Sequence, residues 1–276
     1  MIIDQHTSLY CVLGKPIGHS LSPAMHNAAF SSAGINAVYL AFETEDVDNT
    51  LRGAKTLGIK GMSVTIPFKS RVFPYLDEVD SIAEKIGAVN TIINDNGLLK
   101  GYNTDGVGAL KALEQEIQVS GKSCTILGAG GAARAIGSVL REKDVSITVA
   151  NRSLERGEDL AHSLGCSHIP LNKIEVIKTD ILIQTTPVGM YPYIDQCPVP
   201  EQILDQRMVV MDIIYNPAET MLLKLARDRD CATISGVDMF IHQGAEQFRL
   251  WTGIDPPLEV MSHAVKEALS KQDEKN

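Results

Sequence analysis

The segment Cys124-Thr125-Ile126-Leu127-Gly128-Ala129-Gly130-Gly131-Ala132-Ala133-Arg134 limits what this chain can fold into more than any other stretch. A short apolar run enters a glycine-rich turn, and the turn opens a helix. That order begins a nucleotide-binding βαβ unit. Its glycines permit a tight turn and let the backbone approach a pyrophosphate, whose charge the N–H groups of the helix start can meet. Ala133 replaces the third glycine of such turns and is small enough for close helix–strand packing. A tight turn without a ligand is the alternative. The preceding strand, the helix and a second strand at the right distance favour the nucleotide. The turn lies in mid-chain, so a separate structure is built before it.

The end of the second strand bears on which dinucleotide is bound. An acidic residue there would bond the ribose 2′-hydroxyl of NAD. This chain has Ala150-Asn151-Arg152-Ser153-Leu154-Glu155-Arg156 instead. No carboxylate stands at the strand tip. Arg152 and Arg156, four residues apart, read as sharing one side of the following helix. Guanidinium groups hold a 2′-phosphate that an acid would repel, so the expected cofactor is NADP. A solvated helix start is the plainer reading of the two arginines.

A chain of 276 residues is long enough for two domains, and 44% hydrophobic with 21% charged residues is ordinary globular composition. The net charge of −9 argues against a general nucleic-acid binder but not against an anionic substrate in a local basic pocket. No apolar run is long enough to span a bilayer. Met1-Ile2-Ile3-Asp4-Gln5-His6 lacks the pattern of a signal peptide. Five scattered cysteines and seven histidines show no metal-ligand spacing, so no metal is expected, and the thiols read as reduced in the cytoplasm.

Strands are expected at Leu9 to Leu13, Ala37 to Phe42 and Gly61 to Ile66, with helices at Pro23 to Ala33, capped by Ser22, and at Asp46 to Leu57. A helix near Ser81 to Ile86 precedes a hairpin, Val89 to Ile93 and Leu98 to Tyr102, around Asn94-Asp95-Asn96-Gly97. A helix near Val107 to Ile117 leads into a second series. Its strands lie near Ser123 to Leu127, Ser146 to Ala150, Asp180 to Gln184, Val209 to Ile214 and Ala232 to Ile234. Helices between most of them imply a parallel sheet. Met239 to Trp251 and Leu258 to Leu269 read as helices, and Lys271 to Asn276 as a frayed end.

A dehydrogenase also needs groups that orient a substrate and move a proton. Candidates stand at element ends in the first third of the chain. Ser20 and Ser22 offer hydroxyls to a carboxylate near a helix start, although Ser22 alone reads as an N-cap. Lys69 alone reads as a surface lysine, Asn90 as a strand-end residue and Asp105 as an N-cap. His19 and His26 read as structural. Spacing by itself does not bring these residues together.

The ordered set is more specific than any member. It comprises Gly14-x-Pro-Ile-x-His-Ser-x-Ser-Pro-x-x-His-Asn27, Val64-Thr-Ile-Pro-Phe-Lys69, Gly87-Ala-Val-Asn-Thr91 and Asn103-Thr-Asp-Gly106. Gly128-Ala-Gly-Gly-Ala-Ala-Arg134, Asn151-Arg-Ser153 and Gln243-Gly-Ala-Glu-Gln-Phe248 complete it. The chain resembles the shikimate dehydrogenase family from about Tyr10 to Glu259.

The resemblance implies an α/β chain of two domains: an N-terminal α/β substrate domain, residues 1–103 with 238–276, and a Rossmann-type NADP-binding domain with a parallel sheet, residues 104–237. From sequence alone, the tail would go with the cofactor domain. The implied reaction is the reversible NADPH-dependent reduction of 3-dehydroshikimate to shikimate, a step of aromatic amino-acid biosynthesis. Ser20 and Ser22 would bind the carboxylate, and Thr65, Lys69, Asn90, Asp105 and Gln243 the ring hydroxyls, with Tyr215 nearby. Lys69 and Asp105 would be the catalytic pair; which of them takes the proton stays open. Gly128, Ala129, Gly130, Gly131 and Ala132 would cradle the pyrophosphate. Asn151, Arg152, Ser153 and Arg156 would surround the adenosine ribose and its phosphate; Ser153 stands where the family usually has threonine. Thr185, Ile213, Gly236 and Met239 would neighbour the nicotinamide half, Ile213 by position rather than residue type. The family implies a cleft between the domains that closes on ligands, and a homodimer is kept as an option. Alternatives are an enzyme with relaxed use of quinate or NAD, a folate-type dehydrogenase, and a non-catalytic NADP- or metabolite-binding protein.

Overall fold

The computed structural model describes residues 3–273. The chain forms two compact units, Met1–Thr104 with Ile241–Asn276 and Asp105–Phe240. The first contains β1 (Ser8–Gly14), α1 (Ser22–Ser32), β2 (Ala37–Glu43), α2 (Val47–Leu57), β3 (Gly61–Val64), β4 (Glu78–Val79), α3 (Ser81–Ile86), β5 (Thr91–Asp95) and β6 (Leu98–Tyr102). The second contains α4 (Asp105–Glu114), β7 (Ser123–Leu127), α5 (Gly131–Arg141), β8 (Ser146–Asn151), α6 (Leu154–Leu164), β9 (Ser167–Pro170), β10 (Ile181–Gln184), β11 (Val209–Asp212), α7 (Met221–Asp228) and β12 (Ala232–Ile234). Then come α8 (Gly236–Thr252), within which the division falls, and α9 (Leu258–Asp273), which packs on α1 in the first unit.

The second sheet runs β12-β11-β10-β7-β8-β9, with every neighbouring pair parallel. Starting from β7, this is the doubly wound order of a Rossmann-type sheet, which reverses between β7 and β10. All residues of β10 and β11 are buried, as expected where helices cover both faces of a parallel sheet. Side chains alternate between two cores. Ile126, Ile183 and Met211 join Leu113 of α4 and Ile136 and Leu140 of α5, while Leu127, Leu182 and Val210 join Leu222, Leu223 and Ala226 of α7.

The first sheet is mixed, in the order β2-β1-β3-β5-β6-β4. β1 is parallel to β2 and β3, and β5 is antiparallel to both β3 and its hairpin partner β6. One face packs Leu13, Met62, Val64 and Ile92 on Val47 and Leu51 of α2. Around Tyr10 and Tyr39, rings of α1 and α8 gather: Tyr10 lies 4.8 Å from Phe30 and 5.4 Å from Trp251, and His26 stacks on Tyr39 at 4.6 Å.

Several expectations shift. Ser22 is not the N-cap of α1; Leu21 is, without a side-chain cap, and Ser22 is the first helical residue. Ser20 instead accepts the Ser22 N–H through its side chain, at 3.3 Å. α6 begins at Leu154 after its cap Ser153, so Arg152 precedes the helix and does not share a helical face with Arg156. The strand expected to reach Ile66 stops at Val64. The edge strand β9 and the two-residue β4 had no sequence signal. α9 extends through Asp273, so 271–273 are helical; the rest of the expected frayed end lies outside the described residues. Among the described residues no helix is long and apolar enough to cross a membrane. All five cysteines are free thiols.

Candidate functional site

In the first unit, the candidate substrate groups stand at one end of the sheet. β1 and β3 are parallel, so the loops carrying Ser20 and Thr65 leave by the same edge. β5 is antiparallel to β3, so its start, just after Asn90, returns to that edge. Backbone bonds tie these segments together. Lys15 N–H donates to the Ile66 carbonyl at 3.0 Å, Thr65 N–H to Leu13 at 2.9 Å, and Val89 N–H to Lys69 at 2.8 Å. Lys69 is half-buried on a loop pinned to the segment that enters β5. Ser22 and Asn90 are buried.

Asn90 is the hub. Its Oδ1 accepts from Thr104 N–H at 2.8 Å and from the Thr91 hydroxyl at 2.7 Å. Its Nδ2 donates to Thr104 Oγ1 at 3.0 Å and to Gln243 Oε1 at 3.4 Å. The structure thus joins Asn90 directly to Gln243, which is 153 residues away along the chain.

In the second unit, the candidate cofactor groups gather at the C-terminal ends of parallel strands, where doubly wound sheets bind ligands. Gly128 follows β7 with φ +106°, a conformation side chains rarely adopt. A Cβ there would stand 2.7 Å from the Thr185 hydroxyl, so Gly128 and Thr185 are close neighbours. Thr185 Oγ1 donates to the Leu127 carbonyl at 2.6 Å. No side chain caps α5 at Gly130, so its first N–H groups present the helix dipole where a pyrophosphate would lie. These features fit a dinucleotide.

At the end of β8, Asn151 Nδ2 donates to the Ser153 carbonyl at 2.8 Å, and the Ser153 hydroxyl accepts Arg156 N–H at 3.5 Å to cap α6. Arg152 and Arg156 are both exposed. Ile213 N–H donates to Gln184 at 3.1 Å, and a Cβ on Gly236 would stand 2.4 Å from the Ile213 carbonyl oxygen, so those two positions pack backbone to backbone. Met239 is buried in the core against which Ile213 packs. Tyr215 is 37% exposed, with its ring 5.5 Å from Phe240. Asp105 is the buried first residue of α4.

Sequence reasoning missed the residues behind these positions. Asp212 is fully buried; its oxygens accept Ile214 N–H at 3.0 Å and the Thr220 hydroxyl at 2.8 Å, holding the segment that carries Ile213 and Tyr215. Burial pushes its carboxyl up to about 6, against those two bonds. Gln184 binds Thr186 and Val188 just beyond Thr185. In the first unit, Gln247, Ser63 and Tyr39 form a buried polar group beneath Asn90. Polar residues inside otherwise apolar strands, such as Ser63 in Gly61-Met-Ser-Val64 and Gln184 in Ile181-Leu-Ile-Gln184, were the available signal.

A two-unit α/β architecture with one Rossmann-type sheet defines the class of dinucleotide-binding oxidoreductases. The substrate binding domain of shikimate dehydrogenase matches residues 12–92, the shikimate / quinate 5-dehydrogenase family matches 110–221, and the shikimate 5′-dehydrogenase C-terminal domain matches 236–266. The shikimate dehydrogenase (NADP(+)) of Methanocaldococcus jannaschii is 46% identical over 98% of this chain and 100% of its own length. A shikimate dehydrogenase crystallised in complex with NADP+ superposes with a TM-score of 0.92 at 44% identity, covering 97% of this chain and 98% of that one. The Thermus thermophilus enzyme in complex with NADP(H) and shikimate gives 0.90 at 35%, covering 95% and 100%. The chain belongs to the shikimate dehydrogenase family.

Proposed function

We propose that this protein catalyses the reversible, NADPH-dependent reduction of 3-dehydroshikimate to shikimate, in the cytoplasm, as a step of aromatic amino-acid biosynthesis. The observation that carries this reading is the collection of Ser20, Ser22, Thr65, Lys69 and Asn90 at one end of the first sheet, in a chain of this family. The carboxylate of the substrate is assigned to the hydroxyls of Ser20 and Ser22, and its ring hydroxyls to Thr65, Asn90, Asp105 and Gln243, with Tyr215 nearby. When bound, NADPH supplies the hydride. Lys69 holds a proton and positive charge at the C3 oxygen, where negative charge develops. Asp105 is assigned as the second member of the catalytic pair and as a partner of the adjacent ring hydroxyl. The uncapped start of α5 meets the pyrophosphate, with Thr185, Ile213, Gly236 and Met239 toward the nicotinamide half. Arg152, Arg156, Asn151 and Ser153 face the adenosine ribose and its 2′-phosphate.

The experiment is an absorbance assay of NADPH oxidation with 3-dehydroshikimate, repeated with NADH and, in reverse, with quinate. Turnover with 3-dehydroshikimate and NADPH is expected; its absence, in protein that binds NADPH, defeats the reading. Arg152→Ala should weaken NADP binding roughly ten- to a hundredfold, as loss of a charged hydrogen bond does, and leave NAD binding nearly unchanged. Equal losses for both cofactors would remove Arg152 from 2′-phosphate recognition. Light scattering on the same sample tests whether two copies assemble.

A further inference from the structure

Gln247 is 1% exposed and lies one helical turn beyond Gln243 on α8. Its amide has all its bonds. Oε1 accepts from the Ser63 hydroxyl at 2.8 Å and meets His26 Nε2 at 3.3 Å. Nε2 donates to the Asn90 carbonyl at 3.2 Å and to Thr91 Oγ1 at 3.0 Å. Ser63 in turn accepts from the Tyr39 hydroxyl at 2.6 Å, and the Ser22 side chain lies against the same phenol.

These bonds can be made in only one sense. The Asn90 carbonyl has no proton, so Gln247 must turn its N–H groups that way and its oxygen toward Ser63 and His26. His26 then donates from Nε2, consistent with its buried, unpartnered Nδ1. Thr91 receives an N–H from Gln247 and spends its own proton on Asn90 Oδ1. That leaves Asn90 with its oxygen committed to Thr91 and Thr104, and its N–H groups directed at Thr104 Oγ1 and Gln243. A reversed Asn90 would set N–H against N–H at Thr104.

We infer that Gln247 is a positioning residue for the substrate site: through Thr91 it adds to the Thr104 N–H in holding the Asn90 amide with its N–H groups toward Gln243, and so secures the hydrogen-bond polarity the pair offers a ring hydroxyl. The inference rests on the proposed role of Asn90 and Gln243 in substrate binding.

The test is steady-state kinetics of shikimate oxidation on Gln247→Met, which keeps volume and removes the four bonds, and on Thr91→Val, which removes the hydroxyl that joins Gln247 to Asn90 but leaves Gln247 its bonds to Ser63, His26 and the Asn90 carbonyl. Each should raise KM for shikimate about three- to tenfold, the worth of one neutral hydrogen bond, with kcat changed less than about twofold and NADP affinity unchanged. In an Asn90→Ala background the effect of either change should vanish. An unchanged KM in Thr91→Val, or the same factor with and without Asn90, overturns the inference. Should Gln247→Met fail to fold, Thr91→Val alone decides. Wild-type protein that does not oxidise shikimate at all defeats the functional reading instead.

Discussion

Lys69 carries the chemical part of the proposal. It is half-buried, and its own carbonyl is bonded to Val89 N–H, so the loop beneath it is held while the side chain does the work. If Lys69 supplies the proton and charge at the C3 oxygen, Lys69→Ala should lower kcat by about 10²–10⁴ with a modest change in KM. Single-turnover and steady-state rates check this; near-normal kcat would take Lys69 out of the chemistry. The residues of the site were legible in the chain only as an ordered set of motifs, because Ser22, Lys69, Asn90 and Asp105 each read singly as an ordinary cap, surface or strand-end residue. Their support was not. Asn90 meets Gln243 only because α8 crosses the start of β5, and no local pattern announces a contact between residues so far apart in sequence. Ser22 shows the same limit: a Ser-Pro pair reads as a cap, yet the Ser20 hydroxyl takes the turn N–H and Ser22 goes inside.

At the scale of elements, the connection from β11 to α7 ties fold to function. Asp212 ends β11 and holds both Ile214 N–H and the Thr220 hydroxyl, while Thr220 also caps α7 by accepting Leu223 N–H at 3.4 Å. Ile213 and Tyr215 ride on that clasp. Thr220→Val would strip one partner from a buried carboxylate and uncap the helix, so the second unit should lose about 1–3 kcal/mol of stability. Thr220→Ser keeps both bonds and should lose much less. Urea unfolding followed by circular dichroism checks it, and a valine variant as stable as wild type would show that the clasp carries no weight. Sequence patterns located nearly all of these elements, because apolar runs of strand length alternated with helical spacing. They failed at β9, a half-exposed edge strand with only weak alternation, and at Arg152, where the capping serine starts α6 later than the charges suggest.

For the whole molecule, a buried imidazole in the first unit and a buried carboxyl in the second respond to mild acid with opposite sign. His26 of the first unit is fully buried, and burial pushes its imidazole down to about 3, against the bond to Gln247 that raises it. The unfolded chain binds that proton near pH 6.5, so the neutral-His stability is present above that value and is lost as pH falls below it. Asp212 of the second unit runs the other way. Its carboxyl, near 6 when folded, binds a proton before the unfolded chain does, so that unit gains stability as pH falls from about 6 toward 4. The single tryptophan, Trp251, lies in the first unit and donates to the Ile92 carbonyl at 3.1 Å, so its fluorescence follows that unit. Urea unfolding by Trp251 fluorescence should show a loss of ~1 kcal/mol between pH 7 and 5.5. The loss should disappear in His26→Asn; an equal loss in the variant would assign it to other groups.

The glycine turn at Gly128, the alternation after it and the arginines beyond β8 determined the class of fold and the kind of cofactor, since both are written in local spacing that any folded state must respect, while the ordered polar motifs pointed to the family by resemblance. Tertiary structure alone decided which polar residues stand behind the site: Gln247 under Asn90, Asp212 under Tyr215, and Thr185 against Gly128. The reason is physical. Spacing along the chain sets which face of a strand or helix a residue occupies. The partner of a buried hydrogen bond depends on which elements lie side by side, and that is settled only when the sheets are assembled and their helices packed.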